Sequence, residues 1–141
     1  MSRCRCHSRK LEKRCCGPLH KGRPASTPEA LMRSRYAAYA KGLTDYIIQT
    51  TDPNGPQWQS DGVQWAEEIT DFCRRTAFNG LHIVEANPTD TNEGFVTFIV
   101  RLSREGEDVG FGETSRFARL DGRWHYVSGV PYRGDRSPPD K

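Results

Sequence analysis

The chain has 141 residues, and its charged fraction of 28% and mean hydropathy of −0.78 make it polar for a globular protein. Its aromatic residues (three Trp, five Tyr and six Phe) argue against a wholly disordered chain, and no apolar run reaches the roughly 18 residues that a membrane helix needs. The basic N-terminal residues lead into no apolar stretch, so we expect no secretory signal and a soluble, cytoplasmic protein of about one domain.

Positive charge is concentrated at the start of the chain. Residues 1–23, here named the basic head, contain eight Lys or Arg and one acidic residue, Glu12. The head therefore carries a formal charge of +7, whereas the other 118 residues carry −4 of the total of +3. Such asymmetry is typical of proteins that bind a polyanion or an acidic protein surface, although a solvated tail can have the same composition.

The basic head also holds four of the five cysteines, in the pattern C-x-C-x8-C-C formed by Cys4, Cys6, Cys15 and Cys16. A disulfide framework is typical of exported proteins, and adjacent cysteines pair only with strained geometry. Four clustered thiols instead suit tetrahedral Zn²⁺, and four protein ligands close its coordination shell, so the ion is predicted to be structural. His7 and His20 lie close enough in sequence to replace one sulfur, and this alternative stays open.

Three helices are predicted after the head. A Thr-Pro-Glu sequence at 27–29 is typical of a helix start, because threonine caps, proline suits the first turn and glutamate favours the positive end. The first helix is predicted to run to Lys41 and to end at Gly42. A short helix is predicted at 44–50 and a longer one, with one apolar face, at 62–76.

Beyond residue 80 the hydrophobic period changes to two, which predicts strands at 81–87, 94–104, 109–120 and 123–130. Turns at 105–106 and 121–122 set two hairpin registers, and the second places Ser115 opposite Ser128. Both registers put the same apolar set on one face of the sheet: Val96, Phe98, Val100, Leu102, Val109, Phe111, Phe117 and Tyr126. Helices followed by an antiparallel meander predict an α+β domain.

Several sequence blocks resemble known families. The segments CRCHS at 4–8 and RCCG at 14–17 resemble the SEC-C motif, the zinc segment at the carboxyl end of SecA. In SecA-type proteins that motif contacts the chaperone SecB and ribosomes. The blocks that resemble the YchJ family are CCGPLHKG (15–22), TPEALMRSRYAAYAKG (27–42), ETSRF (113–117) and DGRWHYVSG (121–129).

This resemblance implies an architecture rather than a reaction. It implies a SEC-C zinc segment at 1–23 joined to a nuclear transport factor 2-like (NTF2-like) domain at 24–130, in which a cone-like, curved antiparallel sheet wraps helices around a cavity. The composition of residues 131–141 favours a disordered tail. The segment departs from the usual motif where Arg5, His7 and Glu12 replace proline, glycine and an aromatic residue, and these departures affect any partner surface of the motif.

Glu113 is the charged residue on the predicted apolar face, opposite Phe98. A buried carboxylate is costly unless it is paired, protonated or open to a wet cavity. Arg35 on the first helix is the predicted partner, with Arg33 and Arg116 as alternatives, and a structural pair is favoured over a role as general acid or base. The predicted pocket residues are Arg35, Glu113, Ser115 and Tyr126.

Three functions fit these features. The favoured one is a zinc-binding adaptor or binding protein, whose basic head docks on a protein or ribonucleoprotein partner. The first alternative is a small-molecule enzyme, an isomerase or hydrolase that uses the cavity with Glu113 as catalytic candidate, but no nucleophilic triad or phosphate-binding loop supports it. The second is nucleic-acid binding through phosphate contacts, since residues 1–23 lack aromatic side chains for base stacking.

Overall fold

Short and long helices precede an antiparallel sheet in the computed structural model, which describes residues 2–87 and 92–133. A 3₁₀ turn at Glu12–Arg14 is followed by the helices α1 (Cys16–His20), α2 (Pro28–Lys41), α3 (Thr44–Gln49) and α4 (Gly62–Arg75). The strands are β1 (Ala77–Asn87), β2 (Glu93–Arg104), β3 (Glu107–Asp108), β4 (Phe111–Leu120) and β5 (Arg123–Pro131). None of the helices in the described ranges has the length and hydrophobicity required to span a bilayer.

Helix α2 begins and ends at the residues that the sequence predicts. The side chain of Thr27 accepts a hydrogen bond from the backbone N–H of Ala30 at 3.0 Å, which satisfies one of the otherwise unpaired donors of the first turn. Gly42 ends the helix with a φ of 75°, a left-handed conformation that glycine adopts without strain. The bounds of α3 and α4 also agree with the predicted helices to within the usual uncertainty of helix ends.

The sheet has the strand order β1-β2-β4-β5, with β3 paired to β2, and all pairs are antiparallel. The register predicted for the first hairpin is confirmed, since Phe98 lies opposite Glu113 and Val96 opposite Ser115. Glu113 therefore shares a face with apolar residues of β2, as the alternating pattern indicates.

A β-bulge in β5 changes the second hairpin. Val127 is an extra residue in β5, so Ser115 lies opposite Gly129, and the predicted pairing of Ser115 with Ser128 is wrong. Hydrophobic alternation specifies register only while both strands stay regular, so it does not reveal an inserted residue. The bulge brings a glycine beneath Glu113, where a Cβ atom at residue 129 would overlap the carboxylate.

The main core lies between α2 and the inner face of the sheet. Its buried members are Leu31, Met32, Tyr36, Val96, Phe98, Val100, Leu102, Phe117 and Trp124. Val109 and Phe111, predicted to share this buried face, are instead 37% and 41% exposed. The strand predicted at 109–120 begins only at Phe111, so Val109 lies outside β4 and Phe111 lies at its first position. A second cluster, formed by Ala38, Ile47, Trp65 and Ile69, holds α2, α3 and α4 together.

Strand β5 is joined to the segment that follows α3. The backbone N–H of Tyr126 donates to the carbonyl of Thr50, and its carbonyl accepts from the N–H of Asp52, both at 2.8 Å. Beyond β5, the N–H of Tyr132 donates to the carbonyl of Gly112 at 3.0 Å, so regular pairing extends into the predicted tail. The rest of that predicted tail, 134–141, lies outside the described residues.

Candidate metal centre and cavity

The sulfur atoms of the basic head converge on one point. The Sγ atoms of Cys4, Cys6, Cys15 and Cys16 all lie within 4.8 Å of one another. The separation is 3.6 Å between Cys6 and Cys15 and 3.9 Å between Cys15 and Cys16. A tetrahedral four-thiolate site has sulfur–sulfur edges of about 3.8 Å when each metal–sulfur bond is about 2.3 Å. The described positions therefore fit a single tetrahedral metal ion.

A tight loop brings the first two cysteines to the site. Residues Arg3 and Leu11 form an antiparallel bridge, and the N–H of Cys4 donates to the carbonyl of Lys10 at 2.8 Å. Within the loop His7 has a φ of 66°, in the left-handed region that favours glycine. This is the position at which glycine is usual in the SEC-C motif, so the histidine adopts a conformation that costs a residue with a Cβ atom about 1 kcal/mol or more.

The pKa values of three thiols in this cluster are shifted in opposite directions: burial raises the pKa of Cys4, and a hydrogen bond with Cys6, followed by burial, raises the pKa of Cys16, whereas the pKa of Cys6 is lowered. Cys6 is 0% exposed and Cys16 is 2% exposed, and the described cysteines are all free of disulfides. A hydrogen bond from the Cys16 side chain is the chief cause that lowers the pKa of the Cys6 thiol to about 4. The Arg33 guanidinium also donates to the carbonyl of Cys6 at 3.3 Å and lies 4.0 Å from its sulfur. Thiolate is the form of cysteine that binds metal ions.

The two histidines considered as ligands have other partners. The ring of His7 packs edge-on against Tyr36, with 5.5 Å between centroids. The Nε2 atom of His20 lies 2.8 Å from the carbonyl of Ser34, and its Nδ1 lies 3.1 Å from the Lys41 ammonium, an arrangement in which Nε2–H donates and Nδ1 accepts. Burial lowers the pKa of His20, which favours this neutral form. Neither histidine belongs to the cluster of potential ligands found in the described residues.

The cysteine cluster is packed against α2 through a residue that sequence analysis missed. Ala37 is 0% exposed and forms one buried group with Cys4, Cys6 and Cys16. Arg5 donates to the carbonyl of Ala40 at 3.1 Å, and Lys41 forms an ion pair with Glu12. An alanine in a helix is unremarkable in a sequence, so no signal pointed to this contact. The basic head is thus fastened to the body through side-chain and backbone groups of α2.

Cationic side chains on the outside of the head remain exposed, among them Lys10, Lys13, Arg14, Lys21 and Arg23. Within the described part of the chain, none of these five forms an ion pair. The ligand cluster and the exposed cations therefore occupy the inside and the outside of the same small segment.

A cavity of about 360 Å³ lies between the helices and the inner face of the sheet. Aromatic and aliphatic side chains form most of its wall, including Tyr39, Phe98 and Trp65. Its polar lining includes all the residues predicted for a pocket: Arg35, Glu113, Ser115 and Tyr126. This volume falls within the range typical of small-molecule sites.

Glu113 is held by hydroxyl groups. Its Oε2 atom accepts hydrogen bonds from the Ser115 hydroxyl at 2.6 Å and from the Tyr126 hydroxyl at 3.0 Å. Burial, followed by the adjacent Glu113 charge, raises the pKa of Tyr126, so the phenol stays protonated and remains a donor.

The direct pair predicted between Arg35 and Glu113 is not formed. The Nη1 atom of Arg35 donates to the carbonyl of Ile47 at 3.0 Å and to the hydroxyls of Thr50 and Thr51 at 2.7 and 3.2 Å. Its guanidinium lies 4.7 Å from the ring centroid of Tyr126, the residue whose hydroxyl binds Glu113. Acceptors at the end of α3 therefore engage Nη1 of the arginine, and Tyr126 contacts both the guanidinium and the carboxylate.

The alternative partners of Glu113 are also engaged elsewhere. Arg33 pairs with Glu29 within α2, with 3.0 Å between nitrogen and oxygen. Arg116 pairs with Glu93 across β2 and β4 at 2.6 Å. The partner of each of these charged side chains depends on how helices and strands pack together. The spacing of residues in the sequence does not predict that packing.

Comparisons with known proteins agree with this architecture. The family described as YchJ, middle NTF2-like domain, matches residues 27–129. A UPF0225 protein of Sodalis glossinidius is 39% identical over 97% of this chain and 90% of its own length. Another UPF0225 protein, from Vibrio vulnificus, is 37% identical over 97% of this chain and 79% of its own length.

Solved structures show the same combination of head and body. The solution structure of a SEC-C motif containing protein from Rhodopseudomonas palustris has a TM-score of 0.78 and 35% identity, covering 94% of this chain and 100% of that one. A second SEC-C motif containing protein, from Psychrobacter arcticus, has a TM-score of 0.72 at 22% identity, covering 94% of this chain and 82% of that one. The expected α+β fold, with helices packed on an antiparallel sheet in an NTF2-like domain behind an N-terminal cysteine cluster, is confirmed.

Proposed function

Because this chain belongs to the YchJ (UPF0225) family and carries a SEC-C motif, we propose that it is a zinc-dependent adaptor whose basic head docks on an acidic surface of a protein or ribonucleoprotein partner. The observation that carries this proposal is an exposed cationic surface around a closed cysteine cluster, with five cations that form no ion pair with any described residue. A closed cluster leaves recognition, rather than chemistry at a metal, as the role of the head.

Zinc is the ion that this donor set favours. Four sulfur ligands at tetrahedral spacing match its preference for soft donors, and they leave no open coordination position for a substrate. The head has little apolar core beyond the cysteines and Ala37, so the ion supplies most of its folding energy. In this proposal zinc orders the loop and thereby fixes the positions of the surrounding cations.

The net charge of the head indicates that its partner is anionic. Four thiolates and one Zn²⁺ together carry −2, so the formal charge of residues 1–23 falls from +7 to +5 and remains strongly positive. A cationic surface of this kind attracts anionic partners and suppresses cationic ones, and its effect weakens as salt rises. Because the head is attached to α2, less conformational entropy is lost on docking than a flexible basic tail would lose.

The test is capture of partners by charge variants of the full chain. The double variant Lys10→Glu and Lys13→Glu reverses two exposed charges of the head, and Arg74→Glu with Arg75→Glu makes the same change at the exposed end of α4. The unaltered chain should capture its partners from a cell extract in a salt-sensitive way. We expect the head variant to capture about tenfold less of each such partner, or less still. The α4 variant should retain them.

Metal content and nuclease treatment complete the design. Both double variants should keep one bound metal ion, which shows that the cysteine cluster is intact in each. Equal capture by the head variant and the unaltered chain, measured by quantitative mass spectrometry, would contradict the proposal. Loss of every captured protein after nuclease digestion would instead indicate that the head binds nucleic acid alone.

A further inference from the structure

We propose that the cavity of the NTF2-like body binds a small hydrophobic amine, with the ammonium group paired to the carboxylate of Glu113. This site is separate from the basic head, and the inference does not depend on the docking role proposed above. It follows from the arrangement of charges, hydrogen bonds and apolar walls around the cavity.

Glu113 presents an unused acceptor at the cavity. Both of its hydrogen bonds, from Ser115 and Tyr126, go to Oε2, and Oε1 has no partner among the described residues. Gly129 packs directly beneath the carboxylate, so the side chain is confined between the strand and the cavity. Oε1 is not among the buried polar atoms left without a partner, so it is accessible at the cavity, where a ligand with an N–H group could donate to it.

The arginine that lines the cavity forms no ion pair with Glu113. Arg35 is 9% exposed, and its Nη1 is committed to acceptors at the end of α3. The aromatic ring of Tyr126 lies against its guanidinium, and the hydroxyl of the same tyrosine donates to the carboxylate. Glu113 is therefore held in place by neutral hydroxyls and retains its attraction for a cation.

The remaining lining adds negative rather than positive charge. Glu68 lies at the exposed side of the cavity. Among the described residues no lysine or histidine lines it, so its charged lining consists of one arginine and two glutamates. An anionic ligand would meet two carboxylates in a confined space of low polarity, and this arrangement disfavours it. A cationic ligand gains from Glu113 and from the faces of the aromatic side chains that form the walls.

The walls define the rest of the ligand. Side chains of α2, α4 and the sheet supply a largely aromatic and aliphatic surface, which includes Met32, Tyr39, Trp65, Phe72 and Phe98. The volume of about 360 Å³ accommodates a compact molecule with a single ring or a short branched chain. A small amine with one apolar body and one ammonium end thus matches both the surface and the charge of the site.

Three probes with the same body and different polar ends test the inference. They are 2-phenylethylamine, 2-phenylethanol and phenylacetate, titrated into the ¹⁵N-labelled, metal-loaded full chain while the amide signals of Ser115 and Gly129 are followed by NMR. For molecules of this size, dissociation constants of about 1 mM are expected for the favoured probe. We expect the amine to bind most tightly, the alcohol more weakly and the carboxylate weakest.

A matched pair of variants assigns the preference to one side chain. Glu113→Gln should weaken binding of the amine about tenfold or more and change the affinity for the alcohol much less, since only the amine loses a charge-assisted hydrogen bond. Glu107→Gln alters an exposed carboxylate of β3 and should change neither affinity.

Three results would overturn the inference: phenylacetate binding as tightly as the amine, signal changes confined to surfaces away from Ser115 and Gly129, or an unchanged amine affinity in Glu113→Gln. The order of the three probes is measured on the unaltered chain, so the test stands even where Glu113→Gln fails to fold.

Discussion

Gly129 fixes the position of Glu113. The bulge at Val127 moves this glycine opposite Ser115, and the missing side chain leaves the space that the carboxylate occupies. The carboxylate can then reach the hydroxyls of Ser115 and Tyr126. The bulge at Val127 therefore determines where the Glu113 carboxylate lies on the inner face of the sheet. Bulges commonly redirect side chains in this way near functional sites.

Substitution of Gly129 tests this relation. We expect Gly129→Ala to lower the free energy of unfolding by about 1–3 kcal/mol, because the new methyl group overlaps the Glu113 carboxylate and one of them must move. Gly62→Ala is the matched control, since a Cβ atom there meets nothing within 4 Å at the start of α4. It should leave stability unchanged or raise it by about 0.5 kcal/mol. Denaturant unfolding measures both variants, and equal midpoints would refute the overlap.

Helix α2 serves both the cysteine cluster and the cavity. Ala37 contacts the buried cysteines, and Arg35 lines the cavity. Two residues along a helix are separated by about 200° of rotation, so these side chains point to nearly opposite sides. The caps at Thr27 and Gly42 fix where this helix begins and ends, and thus which residues face each site.

A larger side chain at Ala37, the residue of α2 that packs against the cysteines, should make the metal ion dissociate faster. Ala37→Leu places three additional carbon atoms at a position that is 0% exposed, and overpacking of this kind costs about 1–3 kcal/mol. We expect the bound metal ion to pass to a chromophoric chelator several times faster from this variant than from the unaltered chain. Ala66→Leu, a half-exposed position on α4, should release the metal at the original rate. Identical release from all three proteins would show that α2 does not support the centre.

Helices and hairpins could be predicted from neighbouring residues, whereas the β-bulge and the partners of Arg35 depend on tertiary contacts. The cap at Thr27 and the turns at 105–106 and 121–122 are encoded by neighbouring residues, so the helix and both hairpins could be predicted. The four cysteines of the head are close together in the sequence, so their cluster could be predicted as well. The bulge at Val127 and the partners of Arg35 depend on packing between elements distant in sequence, which periodicity does not report.

Contacts join the head to the body of this chain at more than one place. Arg123 of β5 donates to the carbonyl of Gly22 at 3.2 Å, and Lys41 of α2 pairs with Glu12, so contacts from two separate elements of the body reach the head. Buried packing at Ala37 adds an apolar contact. Ordering of the head by metal should therefore stabilise the body as well.

Removal of the metal tests this coupling. Stripping the bound metal ion under reducing conditions should lower the stability of the whole chain by about 4 kcal/mol when the free ion had been 1,000-fold above its dissociation constant. The change is read as a shift in the thermal midpoint of tryptophan fluorescence. Cys16→Ser should show the lower midpoint without any chelator, and Cys73→Ser, which alters the cysteine outside the cluster, should respond like the unaltered chain. If the thermal midpoint of the body is the same with and without chelator, the head and the body unfold independently.

The backbone bonds that join Tyr126 to Thr50 and Asp52 bear on biosynthesis. During translation α2 and α3 leave the ribosome long before β5, so Arg35 emerges without the ring that later covers it. The chamber between helices and sheet closes only when the last strand arrives and anchors behind α3. A nascent chain halted at the 121–122 turn would expose that apolar interior, making it a natural substrate for chaperones and proteases until synthesis resumes.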